Sequence, residues 1–272
     1  MLLGGIFFCN MGSVNLMAES DSAAEGFGLL AHWPFDVDYS SSVNNDLYQG
    51  KPVGGNYIRI DTDQSSVKLG HGALRVDSGP ESGNKTYVSI RNPLFGYENA
   101  KVFTVVAWYR YDDLSSDGSD ARNFVWETTP GYSLAFGLGL DQEKRDDEWW
   151  FQTASHSNVS DTTGPQVSAG EWHHTAMIWN QEHGHAKFYH DGILRDNIAL
   201  PEGEALEEMS GFHIGNHRGG DGARDWDGMI DDVAVYDLEL SQKIYNQTYQ
   251  LLKNNLIPLP LKTLQELIFL MI

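Results

Sequence analysis

Tryptophans and a charged, glycine-rich segment are the features of this sequence best suited to binding a ligand. Trp149 and Trp150 are adjacent in an apolar run, so on a strand one faces the core and the other faces out. Residues 218–226 read RGGDGARDW, a composition typical of a binding rim or of a solvated turn. Flat aromatic faces suit the C–H surfaces of sugars, and hydroxyls need positioned polar partners. The candidate ligand-binding residues are Trp126, Glu127, Trp150, Arg218, Asp221 and Arg224.

The histidines form a weaker signal for metal binding or catalysis. His173 and His174 follow each other in a strand-like run, so we expect their side chains on opposite faces, where they cannot chelate one metal together. His183 and His185 flank a glycine, which favours a hairpin turn over a metal site. The sequence supports no Ser/His/Asp or Cys/His set, and we predict no catalytic residues.

Composition excludes several classes of protein. The 272 residues carry 38 acidic and 18 basic side chains, a formal net charge of −20, which disfavours nucleic acid because a phosphate backbone would be repelled. Aromatic residues make up 12% of the chain, enough for a substantial core and unlike a disordered acidic chain. A single cysteine, Cys9, rules out an internal disulfide framework and a cysteine-based zinc site.

The two ends of the chain differ from its body. Residues 1–20 contain a short apolar run followed by small residues, which predicts a signal peptide and a secreted or extracytoplasmic protein. Residues 251–272 form an apolar tail that is interrupted by Pro258 and Pro260 and is too short for a transmembrane span.

The body of the chain, residues 28–250, predicts one all-β domain. Short runs with period-two alternation recur between turn residues, as in a β-sandwich or barrel. Asp191-Gly192 stands between two such runs, a strong signal for a β-hairpin. Helical periodicity is convincing only over Ser241–Lys253, where Ser241 is the expected N-cap.

Six segments, in order, resemble the laminin G-like jelly rolls of the concanavalin A-like lectin/glucanase superfamily. They are LAHWPFD (30–36), GHGALRV (70–76), FTVVAWY (103–109), GEWHHTAM (170–177), KFYHDGIL (187–194) and WDGMIDDVAVYDLELS (226–241). The resemblance implies a two-sheet antiparallel β-sandwich with a short C-terminal helix. One sheet of such a sandwich is concave and the other convex.

The resemblance also implies where calcium and catalytic carboxylates would lie. The family often holds one Ca²⁺ near its first and last strands, and the matching positions are Asp36 and Asp231. Because Asp231 precedes Val233 and Val235 by even steps, we expect it on their face. The alternative is that these aspartates cap turns or pair with arginines. Glucanases of the superfamily carry acidic residues at even spacing on one strand, and no strand candidate shows that arrangement.

The leading prediction is therefore an exported, non-catalytic module that binds a glycan or polysaccharide, with calcium as a structural cofactor. A protein-interaction or adhesion module of the same fold, which would bind another extracellular protein, is the alternative. A polysaccharide hydrolase or lyase is the third. The fold alone does not separate the three, because one architecture hosts all of them.

Overall fold

The protein is a two-sheet β-sandwich with one C-terminal helix. The computed structural model describes residues 28–77, 86–92, 94, 100–112, 121–128, 134–141, 147–152, 158–162, 165–200, 202–203, 205–206, 208–216 and 226–254. The strands are β1 (Leu29–Trp33), β2 (Lys51–Val53), β3 (Ile58–Asp61), β4 (Ala73–Val76), β5 (Tyr87–Ile90), β6 (Val102–Tyr111), β7 (Ala121–Thr128), β8 (Leu134–Asp141), β9 (Asp147–Gln152), β10 (Asn158–Thr162), β11 (His173–Asn180), β12 (His185–His190), β13 (Ile193–Ala199), β14 (Gly211–Ile214) and β15 (Gly228–Tyr236). The helices are α1 (Asn45–Tyr48) and α2 (Gln242–Lys253), with a 3-10 turn at Gly55–Tyr57.

The strands form two antiparallel sheets. Sheet A has the order β13-β12-β11-β6-β15-β4-β3, with β1 also paired to β15. Sheet B has the order β10-β9-β8-β7-β14-β5-β2. The first and last strands are therefore neighbours in sheet A. The fold predicted from the sequence, including the helix near the C-terminus, is confirmed.

Aromatic side chains from both sheets fill the space between them. Tyr109 of β6 stacks on Phe124 of β7, with ring centroids 4.7 Å apart. Trp149 of β9 stacks on Phe188 of β12 at 6.0 Å. Such pairs add about 0.5–1.5 kcal/mol each beyond the burial of their area. The inter-sheet core therefore fixes which side chains of each strand remain on the two outer faces.

Helix α2 covers the outer face of sheet A. Ser241 begins it as predicted, because its Oγ accepts a hydrogen bond from the Ile244 backbone N–H at 3.3 Å. Tyr245 and Tyr249 lie one turn apart and pack with Trp108 in a second buried cluster. This cluster shields the part of the outer face of sheet A around Trp108 from solvent.

The predicted hairpin at Asp191-Gly192 is present, and glycine is required there. Both residues have positive φ, 48° and 81°, as a two-residue type I′ turn needs. A Cβ on Gly192 would also lie 2.5 Å from Cδ1 of Tyr249, so the turn and the helix fit together only around glycine.

The predicted face of Asp231 is wrong. Asp231 pairs with Trp108 in the β6–β15 ladder, and Trp108 belongs to the cluster beneath α2, whereas Val233 and Val235 belong to the inter-sheet core. The reason is a bulge after Asp231, where Asp232 has a φ of 51°. A bulge shifts the alternation by one residue, and the even-step argument fails across it.

Candidate functional site

One row of residues, paired from strand to strand, crosses the outer face of sheet B. Ser89 of β5 pairs with His213 of β14, which pairs with Trp126 of β7. Trp126 pairs with Gly137 of β8, and Gly137 pairs with Trp150 of β9. Directly opposed residues in antiparallel strands share a face, so these five residues form one stripe, which we call the tryptophan row.

Gly137 lets the two tryptophans of this row come together. The ring centroids of Trp126 and Trp150 are 5.8 Å apart and the rings are tilted by 59°. A Cβ on Gly137 would lie 2.8 Å from Cε3 of Trp126 and 3.3 Å from Cε3 of Trp150. Trp126 is buried, with 3% of its surface exposed, whereas Trp150 is partly exposed. Trp150 is thus the accessible indole, supported from beside by Trp126.

The other end of the row carries a histidine and a tyrosine. The rings of His213 and Tyr87 are 4.8 Å apart, and Tyr87 is partly exposed. Burial lowers the pKa of His213 from 6.5 to about 4, so its imidazole is neutral at pH 7. A neutral imidazole both donates and accepts a hydrogen bond, as a sugar hydroxyl does. His213 was not among the residues predicted from the sequence, because the register between strands that are distant in sequence cannot be predicted from local patterns.

The alternation expected for the adjacent tryptophans is confirmed, but Glu127 lies apart from the row. Trp149 is fully buried between the sheets while Trp150 faces out. Glu127 pairs with the core residue Phe136 and is itself fully buried. Burial raises the pKa of Glu127 well above its ordinary value, although hydrogen bonds from the backbone N–H groups of Gly211 and Leu94 lower it in part. The structure separates Glu127 from the surface on which Trp126 and Trp150 meet.

The remaining predicted ligand-binding residues, Arg218, Asp221 and Arg224, lie outside the described residues. The predicted signal peptide, 1–20, and most of the apolar tail, from residue 255 onward, do so as well.

The two aspartates predicted to bind calcium both contact the segment 68–71. Oδ2 of Asp231 accepts the backbone N–H groups of Lys68 (3.2 Å) and Leu69 (2.9 Å). Oδ1 of Asp36 accepts the backbone N–H of His71. Both carboxylates therefore hold this turn in place, which is the capping role that the sequence left open.

One oxygen at this corner is suited to a cation. Oδ1 of Asp231 is buried and has no hydrogen-bond partner among the described residues. Burial raises the pKa of Asp231 well above its ordinary value, and the nearby Asp232 and Asp36 carboxylates raise it further, whereas the N–H groups of Leu69 and Lys68 lower it. A bound cation or a proton would relieve this charge. Two carboxylates supply only part of the six to eight oxygens that Ca²⁺ takes, so backbone carbonyls would have to supply others.

A Ser–His–Asp chain of hydrogen bonds lies beside this corner, although no such set was predicted from the sequence. His32 contacts Oδ1 of Asp232 through Nε2 at 2.5 Å and Oγ of Ser42 through Nδ1 at 2.8 Å. The Ser42 backbone N–H also donates to the His32 carbonyl at 2.7 Å. These contacts fasten the loop after β1 to the bulge of β15. The pairing of first and last strands was the signal that could have placed His32 and Asp232 together.

An open cleft of about 660 Å³ lies at the edge of sheet A where β15 leads into α2. Its polar lining includes Glu239, whose carboxylate contacts His185 at 2.8 Å and Lys187 at 2.5 Å. None of its described lining residues is Phe, Trp or Tyr. The cleft therefore lacks the flat aromatic face that the tryptophan row offers.

Solved structures of this fold include binding domains of several proteins. Domain 4 of AbnA, a GH43 extracellular arabinanase from Geobacillus stearothermophilus, in complex with arabinotriose, superimposes with a TM-score of 0.59 at 18% identity, covering 80% of this chain and 97% of that one. The binding domain of botulinum neurotoxin serotype D gives 0.61 at 14% identity, covering 83% and 52%. The binding domain of botulinum neurotoxin DC in complex with rat synaptotagmin II gives 0.59 at 12%, with the same coverage. The match thus spans about half the length of the toxin domains.

No curated protein matches this sequence significantly. Among the described residues, no helix is both long and apolar enough to cross a membrane.

The family is established by the sequence profile of the concanavalin A-like lectin/glucanases superfamily, which matches residues 82–243, more than half of the chain. This span includes the whole tryptophan row and the pairing of β6 with β15. The chain therefore belongs to the laminin G-like family of the concanavalin A-like lectin/glucanases superfamily.

Proposed function

We propose that the protein is an exported, non-catalytic carbohydrate-binding module whose site is the tryptophan row. The observation that carries this proposal is Trp150, a partly exposed indole on the outer face of sheet B, held against Trp126 across Gly137. An indole face binds the apolar C–H surface of a sugar ring, and His213 lies three strands away from Trp150 along the same row.

The comparison with the arabinanase domain supports the same choice of ligand class. That domain is described in complex with arabinotriose, and this chain covers nearly all of it. An oligosaccharide also suits the size of the row, because the three strand spacings between His213 and Trp150 span about 14 Å.

A glycan array on the full chain, with matched tryptophan variants, tests the proposal. We expect Trp150→Ala to lose binding by at least about fivefold, since one stacked aromatic contributes about 1–3 kcal/mol by analogy with base stacking. Trp172→Ala is the control, because Trp172 is also partly exposed but lies beside Arg110, at 5.7 Å from the guanidinium, and not on the row.

Two outcomes would contradict this site. Equal loss of binding in both variants would mean that the row is not the binding surface. Binding of no glycan by the folded wild-type protein would favour the protein-interaction module instead. The toxin domain described in complex with rat synaptotagmin II is a precedent for that alternative.

Calcium at Asp36 and Asp231 is the second part of the proposal, supported by the buried Oδ1 of Asp231, which has no hydrogen-bond partner in the described part of the chain. Asp231→Asn is the matched change, because the amide oxygen can still accept the N–H groups of Lys68 and Leu69. We expect calorimetric titration with Ca²⁺ to show one site in the wild-type protein and none in Asp231→Asn. Equal heats for the two proteins would contradict the calcium site, while glycan binding with and without chelator shows whether the ion serves the row.

The non-catalytic part of the proposal has its own test at Ser42. Because Ser42, His32 and Asp232 have the hydrogen-bond order of an activated serine, a serine-directed fluorophosphonate is the sharpest probe. We expect no labelling of Ser42. Stoichiometric labelling that disappears in Ser42→Ala would contradict the proposal and favour a hydrolase.

A further inference from the structure

A second group of ligating side chains lies at the end of sheet A, apart from the tryptophan row and from Asp36 and Asp231. His173 of β11, His190 of β12 and Asp191 of the following turn bring one ligand atom each to within 4.8 Å of one another. Oδ2 of Asp191 lies 2.9 Å from Nδ1 of His173 and 3.3 Å from Nε2 of His190. The two imidazole rings are 5.1 Å apart.

The sequence expectation about His173 was correct but incomplete. His173 and His174 do point to opposite faces, since His174 contacts Tyr245 of α2 through Nδ1 at 2.9 Å. The second histidine of the cluster comes instead from β12, which pairs with β11. Antiparallel pairing therefore brings together two histidines that are 17 residues apart in sequence.

The backbone holds the Asp191 carboxylate in a fixed position. Asp191 is the first of the two central residues of the type I′ turn, and its backbone N–H donates to the His174 carbonyl at 2.8 Å. Its Oδ1 accepts the His174 backbone N–H at 2.9 Å, which directs Oδ2 to the two imidazoles. An outer hydrogen bond that orients a ligating carboxylate is a common feature of metal sites.

The chemistry of the three side chains suits a metal ligand set. Two imidazoles and one carboxylate suit zinc and other first-row transition metals and are a poor set for calcium, which takes oxygen ligands.

We propose that His173, His190 and Asp191 bind a divalent transition metal ion of the zinc class. In a tetrahedral zinc site with bonds of about 2.0–2.1 Å, ligand atoms lie about 3.3 Å apart. The contact between Asp191 and His190 already has this length, and that between Asp191 and His173 needs to open by about 0.4 Å. The third pair, the ligand nitrogens of His173 and His190, lies within 4.8 Å and closes to about 3.3 Å by rotation of the imidazole rings around a bound ion.

The cluster has a buried side and an open side. His190 is 1% exposed, whereas the side chains of His173 and Asp191 are 12% and 27% exposed. The open side gives the ion a path to the site and leaves a fourth position for water, as in zinc sites with three protein ligands.

The test is calorimetric titration of the untagged full chain with Zn²⁺ after treatment with chelator, repeated with Co²⁺ to record the visible absorption of a bound ion. Asp191→Asn is the main variant, because asparagine tolerates the positive φ of the turn and the fold is retained. His173→Asn is the second, and thermal unfolding of each metal-free protein verifies folding. His183→Asn is the matched control, since His183 is an exposed histidine in the turn between β11 and β12, at the opposite end of β12 from Asp191.

We expect one equivalent of Zn²⁺ in the wild-type protein and in His183→Asn, and at least about tenfold weaker binding in Asp191→Asn and His173→Asn. Absence of Zn²⁺ and Co²⁺ binding by the folded wild-type protein would overturn the proposal. Equal binding by the wild-type protein and folded Asp191→Asn would overturn it too.

Discussion

The outer faces of the two sheets differ in whether a helix covers their tryptophans. On sheet A, Trp108 of β6 lies beneath α2, where Tyr249 stacks on it at 5.9 Å. On sheet B, Trp150 of β9 remains partly exposed, and within the described residues neither helix packs over it. Both faces come from the same alternation of side chains along strands. An outward tryptophan is thus a packing residue on one sheet and a candidate contact residue on the other.

Whether an outward tryptophan is covered or accessible therefore depends on the element packed against its strand, and the residue type alone does not decide it. Tyr249, which stacks on Trp108, comes from a helix more than 130 residues away in sequence, whereas Trp126 and Trp150 contact each other within the sheet. Changes on the two faces should therefore separate stability from binding.

The largest effect is expected from Tyr249→Ala on sheet A. Tyr249 is 2% exposed and packs on Trp108 and Gly192, so its removal leaves a cavity and should lower the free energy of unfolding by about 3–5 kcal/mol. Denaturant unfolding measures the loss. Trp150→Ala is the comparison and should cost less, about 1–2 kcal/mol, since its ring is already partly in water. Similar losses in the two variants would remove the distinction between the faces.

Protonation of His213 on sheet B should make the free energy of unfolding depend on pH, by about 3 kcal/mol in total. The pKa of His213 is about 4 in the folded protein against 6.5 for the ordinary side chain, so the unfolded chain binds the proton more tightly. Its contribution to stability is complete above about pH 6.5 and is lost as the pH falls toward 4. The free energy of unfolding of His213→Gln should fall less over this interval than that of the wild-type protein. Parallel curves for the two proteins would show that His213 is not the titrating group.

Gly137→Ala, in the middle of the tryptophan row, should lower the free energy of unfolding by a smaller amount, about 1–3 kcal/mol. The new methyl group would press on Trp126, which is buried and has little room to move, and would push the two indoles apart. We expect weaker glycan binding and a changed tryptophan fluorescence spectrum. Unchanged binding together with an unchanged spectrum would mean that the spacing of the pair does not matter.

Much of the fold could be predicted from the sequence, because its signals are local. The Asp191-Gly192 turn, the Ser241 cap and the alternation at Trp149-Trp150 each depend on residues close in sequence, and all three are confirmed. The resemblance to the laminin G-like family supplied the two-sheet antiparallel architecture, which is also confirmed.

The contents of the sites depend on register and could not be predicted in the same way. His213 and Trp126 are opposed across two strands that are far apart in the chain. His173 and His190 come together through the register of the β11–β12 hairpin. The bulge at Asp232 reversed the expected face of Asp231, and no pattern in the sequence signals that bulge. Glu127 was grouped with Trp126 by adjacency, although adjacent strand residues face opposite ways.

The most direct test of the central claim is a titration of the ¹⁵N-labelled protein with an oligosaccharide of the class retained on the glycan array, followed through the indole N–H signals. The account predicts that the signals of Trp150 and Trp126 shift while those of Trp108 and Trp172 stay in place. Shifts at Trp108 or Trp172 with Trp150 unchanged would contradict the assignment of binding to the outer face of sheet B.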